Sequence, residues 1–387
     1  MKVIPYGTQE IHADDVEAVV GTLRSAWLTQ GPAIEAFESS LVSATGSSAA
    51  VAVANATAAL HLTCLAMGLG PGDRLWTSPN TFVASANCAR YCGAMVDFVD
   101  IDPRTYNMSV EALRKKLERA AVVGELPKIV VPVHFSGQPC DMAAIHQLAQ
   151  QYEFRIIEDA AHALGAEYRD EPVGNCRYSD ATILSFHPVK IITTGEGGAV
   201  LTRDAELADR IRLLRSHGIT RSPSAMTAPS EGGWYYQQVD LGFNYRMTDL
   251  QAALGTSQMK HLEDFIQRRR ERADYYDRIL EGNGIVLPWQ ADYGRSAWHL
   301  YVVQLSGREE RKQVFDRMRE AGILVNVHYI PVHLQPYYRD LGFEPGDFPE
   351  AERYYENAIT LPLYPGLTSE QQSYIAETLR SAVLAHA

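Results

Sequence analysis

Cysteine is scarce in this chain, and what there is does not pair. The five cysteines (Cys64, Cys88, Cys92, Cys140 and Cys176) are odd in number and scattered through apolar segments. That pattern excludes a disulfide framework and points to reduced core thiols in a cytoplasmic protein. Cys88 and Cys92 stand one helical turn apart, but no second close cysteine or histidine pair completes a zinc site, so no metal is expected. Basic excess is missing too: 35 lysines and arginines face 47 aspartates and glutamates, for a net charge of −12. A nucleic-acid partner is therefore not expected, and any anionic ligand must be held by locally arranged donors. No apolar run is long enough to cross a bilayer, and the opening "MKVIPYGTQEIHADD" lacks the apolar core of a signal peptide. Association with a membrane is not expected. Internal repeats and low-complexity tracts are also absent.

What is present is alternation. The runs "AAVAVA" (49–54), "RLWTS" (74–78), "MVDFV" (95–99), "KIVVPV" (128–133), "RIIED" (155–159), "ATILSF" (181–186) and "GAVLT" (198–202) predict strands. Helical spacing falls between them, from Thr57 to Met67, from Val83 to Tyr91 and onward from Asp141. Continuous apolar strands separated by helices predict an α/β domain with a mainly parallel sheet covered on both faces. The Ser-, Pro- and Gly-rich "RSPSAMTAPSEGGW" (221–234) predicts a loop. A helical pattern then runs from Thr248 to Leu262 and on to residue 280, with the arginines at 268–270 assigned to a solvated face. Beyond it, strand 299–305, helix 309–322, strand 323–329 and a final helix near 368–385 predict a smaller α+β unit. The expected division is 1–283 and 284–387.

Three strand-to-helix junctions carry polar residues, at the sheet edge where open parallel sheets bind ligands. In "ANATAALHL" a helix begins near Thr57, whose free N–H groups and hydroxyl suit a phosphate, or whose hydroxyl simply caps the helix. In "RIIEDAAHALG" a strand ends on Glu158-Asp159, with His162 three residues on; Asp159 can serve a ligand or cap the next turn. In "SFHPVKIITTGEGGAV", Ser185 and His187 precede Lys190, an amine among apolar neighbours. A surface lysine can bury its stem and expose its head. A desolvated lysine beside a polar site is instead a neutral amine able to attack a carbonyl. A phosphate-binding helix start, a carboxylate at a strand end and such a lysine together describe what pyridoxal phosphate requires. Phe82, in "SPNTFVASAN", supplies an aromatic face for its ring.

The blocks "SFHPVKIITTGEGG", "IIEDAAHALGAEY", "WLTQGPAIEAFE", "VANATAALHL", "VHFSGQPCDMAAI" and "LGFNYRMTDLQAALG" together resemble the DegT/DnrJ/EryC1/StrS family of sugar aminotransferases. The resemblance covers nearly the whole chain. It implies a pyridoxal-phosphate-dependent transferase of fold type I, with a large mainly parallel α/β domain and a smaller α+β C-terminal domain. It makes Lys190 the residue bonded to the cofactor and Asp159 the partner of its ring nitrogen. His162 falls beside the phenolic oxygen; Ala56, Thr57 and Ser185 hold the phosphate, and Phe82 covers the ring. Asn244 corresponds to a residue that reaches the neighbouring subunit's phosphate region, which implies a homodimer with shared sites. Tyr6, the stretch Ala26, Trp27, Leu28 and Thr29, Asn55, His187, and the stretch Val327, His328, Tyr329 and Ile330 match substrate-contacting segments. Tyr6 and Tyr329 can equally be packing residues.

Three further blocks, "RLLRSHGITR", "HYIPVHLQPYY" and "ITLPLYPGLT", resemble family members of pseudaminic acid biosynthesis. They imply transfer of an amino group from L-glutamate to C4 of a UDP-linked 4-keto-6-deoxy-N-acetylhexosamine (UDP-2-acetamido-2,6-dideoxy-β-L-arabino-hex-4-ulose). Another nucleotide keto-sugar, aminated at C4 or C3, is the alternative. Relatives that remove a hydroxyl carry histidine where this chain has Lys190, which disfavours a sugar dehydratase. A non-catalytic pyridoxal-phosphate-binding regulator is disfavoured by the lack of a DNA-binding segment.

Overall fold

The computed structural model describes residues 3–282, 284–305 and 308–384. Its centre is a seven-stranded sheet. In spatial order the strands are Ala49–Val53, Gly198–Thr202, Ala181–Ser185, Arg155–Asp159, Ile129–Val131, Arg74–Thr77 and Met95–Phe98. All pairings are parallel except those of Gly198–Thr202, which runs antiparallel to both neighbours. The strands are built from continuous apolar residues because both sheet faces are covered: Val51, Val53, Ile129, Val131, Ile157 and Ile183 pack on one side, and Ala50, Ala52, Leu184, Ala199 and Leu201 on the other. The predicted α/β sheet is present, each strand within a residue or two of its expected ends.

The helices Ala13–Leu23, Pro32–Thr45, Val110–Val123, Ala205–Leu214 and Pro349–Asn357 are not among the expected elements. The long helical pattern after Thr248 is two helices, Asp249–Met259 and Leu262–Leu280, broken at Lys260-His261. The expected strand 323–329 shrinks to Ile323–Leu324, paired in parallel with Ile4–Pro5. The residues after it leave the sheet and run to the cavity described below. Tyr301–Gln304 pairs antiparallel with Ala358–Leu361, a strand that the pattern of the sequence did not reveal. The stretch 221–234 is a loop, as expected, between the short paired segments Ile219–Thr220 and Gln237–Gln238.

The arginine run at 268–270 is not a solvated face. Three consecutive helical residues point about 100° apart, so they cannot share one side. Arg269 is only 1% exposed. It donates to the carbonyls of Trp298 (3.3 Å), His299 (3.4 Å) and Leu363 (3.0 Å). Arg268 pairs with Glu10 and Asp264, and Arg270 donates to the Ser296 carbonyl. The same helix feeds Phe265 and Ile266 into the sheet-side core, and Ala273, Tyr276 and Leu280 into a second core with Tyr301, Ile323 and Ile359. Arg269 thus ties the segment before Tyr301 to this helix by hydrogen bonds that no solvent replaces. Replacing it by leucine (Arg269→Leu) strands buried carbonyls and should lower stability by about 3 kcal/mol. A urea titration of the variant checks this, and an unchanged midpoint would contradict the assigned role.

Candidate active site

At the carboxyl ends of the parallel strands lies a cavity of about 790 Å³. Its floor comes from the junctions singled out above. The helix Ala56–Ala66 follows strand Ala49–Val53, and the Asn55 side chain caps it by accepting the Ala58 N–H at 2.8 Å. Asn55, not Thr57, is therefore the cap, because the helix starts two residues earlier than a threonine cap requires. No acceptor among the described residues meets the N–H groups of Ala56 and Thr57, which line the cavity. Gly198 makes this approach possible: a Cβ there would fall 2.5 Å from the Ala56 nitrogen. Ser185, on the neighbouring strand, lines the same corner.

Successive strand residues point to opposite faces, and this sorts the acidic pair. Glu158 turns away from the cavity to meet His134 Nε2 at 2.7 Å, with Ser179 and Thr182 donating to its other oxygen. Asp159 turns into the cavity. Its Oδ2 accepts from Ser85 Oγ at 2.6 Å, and its Oδ1 accepts the Ala161 N–H at 3.1 Å. Ser85 spends its one proton on Asp159, so the Thr81 hydroxyl, 2.8 Å away, donates to Ser85. Asp159 does bond the following turn, but no helix follows that it could cap.

Lys190 sits in a turn closed by its own N–H to the His187 carbonyl at 2.8 Å. It is partly open to the cavity, and burial of its amine pulls the pKa down to about 8, with the Asp159 charge pushing back. Three imidazoles surround this amine. His162, His299 and His328 are all buried. Burial first, and then the Lys190 charge, hold each of them below the usual histidine range. His162 Nε2 meets the Tyr329 hydroxyl at 3.2 Å, while its Nδ1 has no partner. The Phe82 ring is exposed and lies 6.2 Å from that of Tyr329.

The residues expected to touch a cofactor thus converge on one cavity, Asn244 excepted. Asn244 is exposed, bridged to Ser216, and does not line this cavity. Of the expected substrate contacts, Tyr6, Asn55, His187, Val327, His328 and Tyr329 line it. Ala26, Trp27, Leu28, Thr29 and Ile330 are exposed and do not. The 26–29 stretch is held outside by its anchor, since the Gly31 and Ala33 amides donate to the Asp249 carboxylate at 2.8 and 3.1 Å. Thr81, Ser85, His299, Tyr245 and Asn326 had not been singled out from the sequence. Ser85 lies in "SPNTFVASAN", three residues past Phe82, but its link to Asp159 spans 74 residues and leaves no local trace. Away from the cavity, His12, Asp14 and His261 bring ligating atoms within 4.8 Å. The two imidazoles stack at 4.2 Å and 16°, so their lone pairs do not converge on one ion.

The donor set fits pyridoxal phosphate. Free helix-start amides and hydroxyls suit its phosphate, a buried carboxylate its ring nitrogen, a low-pKa amine its aldehyde, and an exposed aromatic its ring face. Sheet, cavity and lysine–acid pair define a pyridoxal-phosphate-dependent enzyme of fold type I. The chain belongs to the DegT/DnrJ/EryC1/StrS aminotransferase family, which it matches over residues 9–380. It is 41% identical over 386 residues to the spore coat polysaccharide biosynthesis protein SpsC of Bacillus subtilis, covering 98% of this chain and 97% of that one. The UDP-4-amino-4,6-dideoxy-N-acetyl-β-L-altrosamine transaminase of Campylobacter jejuni is 35% identical over 382 residues, with 98% and 97% covered. The solved PMP form of the putative sugar aminotransferase Spr1654 from Streptococcus pneumoniae superimposes with a TM-score of 0.91 at 32% identity, covering 99% of each chain. The protein is a pyridoxal-phosphate-dependent sugar aminotransferase.

The depressed pKa of Lys190 has a direct consequence in the cofactor-free protein. Its amine should acylate with a midpoint near pH 8, against the ordinary lysine value of 10.5. Peptide mapping after pulse labelling at a series of pH values measures this, and a midpoint above 10 would remove the claim.

Proposed function

We propose that the enzyme transfers an amino group from L-glutamate to C4 of a UDP-linked 4-keto-6-deoxy-N-acetylhexosamine, as in pseudaminic acid biosynthesis. The observation that carries the chemistry is the placement of Lys190 and Asp159 in one cavity with the free amides of Ala56 and Thr57. Bound pyridoxal phosphate supplies an aldehyde that bonds to amines and a ring that draws off the electron pair of a breaking C–H bond. Lys190 would hold the cofactor between turnovers. Once released, its Nζ takes the α-proton of the donor and later delivers a proton to the sugar carbon that receives nitrogen. Asp159, oriented by Ser85 and the Ala161 amide, keeps a proton on the ring nitrogen. Ala56, Thr57 and Ser185 would hold the phosphate, with His162 and Phe82 left to hold the ring. Tyr6, Asn55, His187 and the 327–329 stretch form the sugar side of the cavity.

Full-length similarity to the Campylobacter enzyme supports amination at C4 of a UDP-linked sugar. The higher identity to SpsC supports a second reading, a different nucleotide keto-sugar destined for a surface polysaccharide. Glutamate alone should shift the visible absorbance band of the loaded enzyme, and Lys190→Ala should abolish turnover. NMR of the product formed from UDP-linked 4-keto and 3-keto hexoses then decides the regiochemistry. A 3-amino product, or no shift with glutamate, would sink the proposal.

A homodimer is part of this proposal, and charge supports it. Lys190 is the only lysine or arginine among the described residues that line the cavity. The substrate's phosphates therefore meet no second cation in this wall, and the exposed Asn244 and 26–29 segments are where a second copy would complete the site. Light scattering should give twice the 43.0 kDa chain mass; an active monomer would refute the shared site.

A further inference from the structure

One buried group next to Lys190 has so far been given no part in the reaction. His299 comes from the segment just before strand Tyr301–Gln304, far from Lys190 in sequence. It is 4% exposed, and its Nε2 lies 3.5 Å from Lys190 Nζ. That is the one side-chain hydrogen-bond contact seen for the lysine amine among the described residues. The distance is long, as contacts of this kind commonly are before a site is loaded. The other ring nitrogen, Nδ1, is buried with no partner at all.

The fold holds this imidazole from several sides. The His299 amide donates to the Ser136 carbonyl at 2.9 Å, and its own carbonyl accepts from Arg269. Trp298, the residue before it, adopts φ +50, a left-handed conformation that a bulky residue takes only where its surroundings impose it. Gly137 leaves the needed room: a Cβ there would lie 3.0 Å from the Trp298 nitrogen and 3.1 Å from that of His299. The His299 ring then packs 4.4 Å from that of His162.

We propose that His299 is the positioning residue for the free amine of Lys190, its Nε2 accepting an amine N–H whenever the lysine is not bonded to the cofactor. In that tautomer Nδ1 carries the hydrogen. The amine's lone pair is left free and directed into the cavity, where the cofactor's aldehyde or a substrate carbon must meet it. His299 does not store the proton. Burial, the Lys190 charge, His162, Arg269 and His328 all oppose a positive imidazole there. The groups facing the amine are Asp159 from its strand, His162 from the following turn, His299, and His328 beyond Ile323–Leu324. Asp159 is the one acid among them, so the histidines act as neutral dipoles. This role rests on Lys190 being the residue that carries the cofactor.

The test is capture of pyridoxal phosphate by the cofactor-free protein, followed as growth of the imine absorbance band. His299→Phe keeps the ring's bulk and removes the acceptor, and should slow capture about tenfold or more. His299→Gln places an amide where Nε2 stood and should recover most of the wild-type rate. Capture by His299→Phe at the wild-type rate, or by His299→Gln as slowly as by His299→Phe, would overturn the proposal. Failure of the wild-type protein itself to form the band would instead strike at the Lys190 reading. A second measurement needs no histidine variant to fold. In protein labelled with nitrogen-15 at histidine, Lys190→Met should move the His299 Nε2 resonance in the cofactor-free state. An unmoved resonance would also overturn it.

Discussion

An amine withheld from water beside a carboxylate is the constraint around which this molecule is arranged. Lys190 in water would be an ammonium ion, inert as a nucleophile. Burial removes enough hydration to bring its pKa to about 8, while Asp159 keeps the shift from going further. The same desolvation keeps His162, His299 and His328 neutral, so the lysine amine faces one acid, Asp159, and three uncharged rings. Net charge in the cavity is thereby kept low without a second cation in its wall.

Such a site needs walls from distant parts of the chain. The parallel sheet delivers Asp159 and Ser185 at strand ends, and the junction after Ala49–Val53 delivers the free amides. The C-terminal part delivers His299, His328 and Tyr329 from the opposite side. The helix Leu262–Leu280 contributes to two of the hydrophobic cores, and Arg269 on it grips the carbonyls of Trp298 and His299. Stability and chemistry are coupled at that arginine, since the bonds that close the core also place the imidazole against Lys190.

Much of this was legible because local physics wrote it into short segments. Continuous apolar runs had to be buried strands, since both sheet faces are covered. Lys190 among apolar residues, Asp159 at a strand end and Thr57 near a helix start each had a bland reading, and only their combination pointed to pyridoxal phosphate. The arginine run misled because one-dimensional charge runs ignore the 100° turn between helical neighbours. Trp27 and its neighbours match a family segment but lie outside this subunit's cavity, because Asp249 anchors the adjoining turn elsewhere.

By itself, then, the sequence determined the α/β class, the cofactor and the lysine–acid pair, because each depends on a residue's own neighbours and on the ends of regular elements. The tertiary structure alone decided that Ser85 orients Asp159, and that His299 meets the lysine. Those contacts join segments 74 and 109 residues apart, and hydrogen bonds over such separations leave no periodicity or motif in the chain. They exist only once the distant segments have packed together.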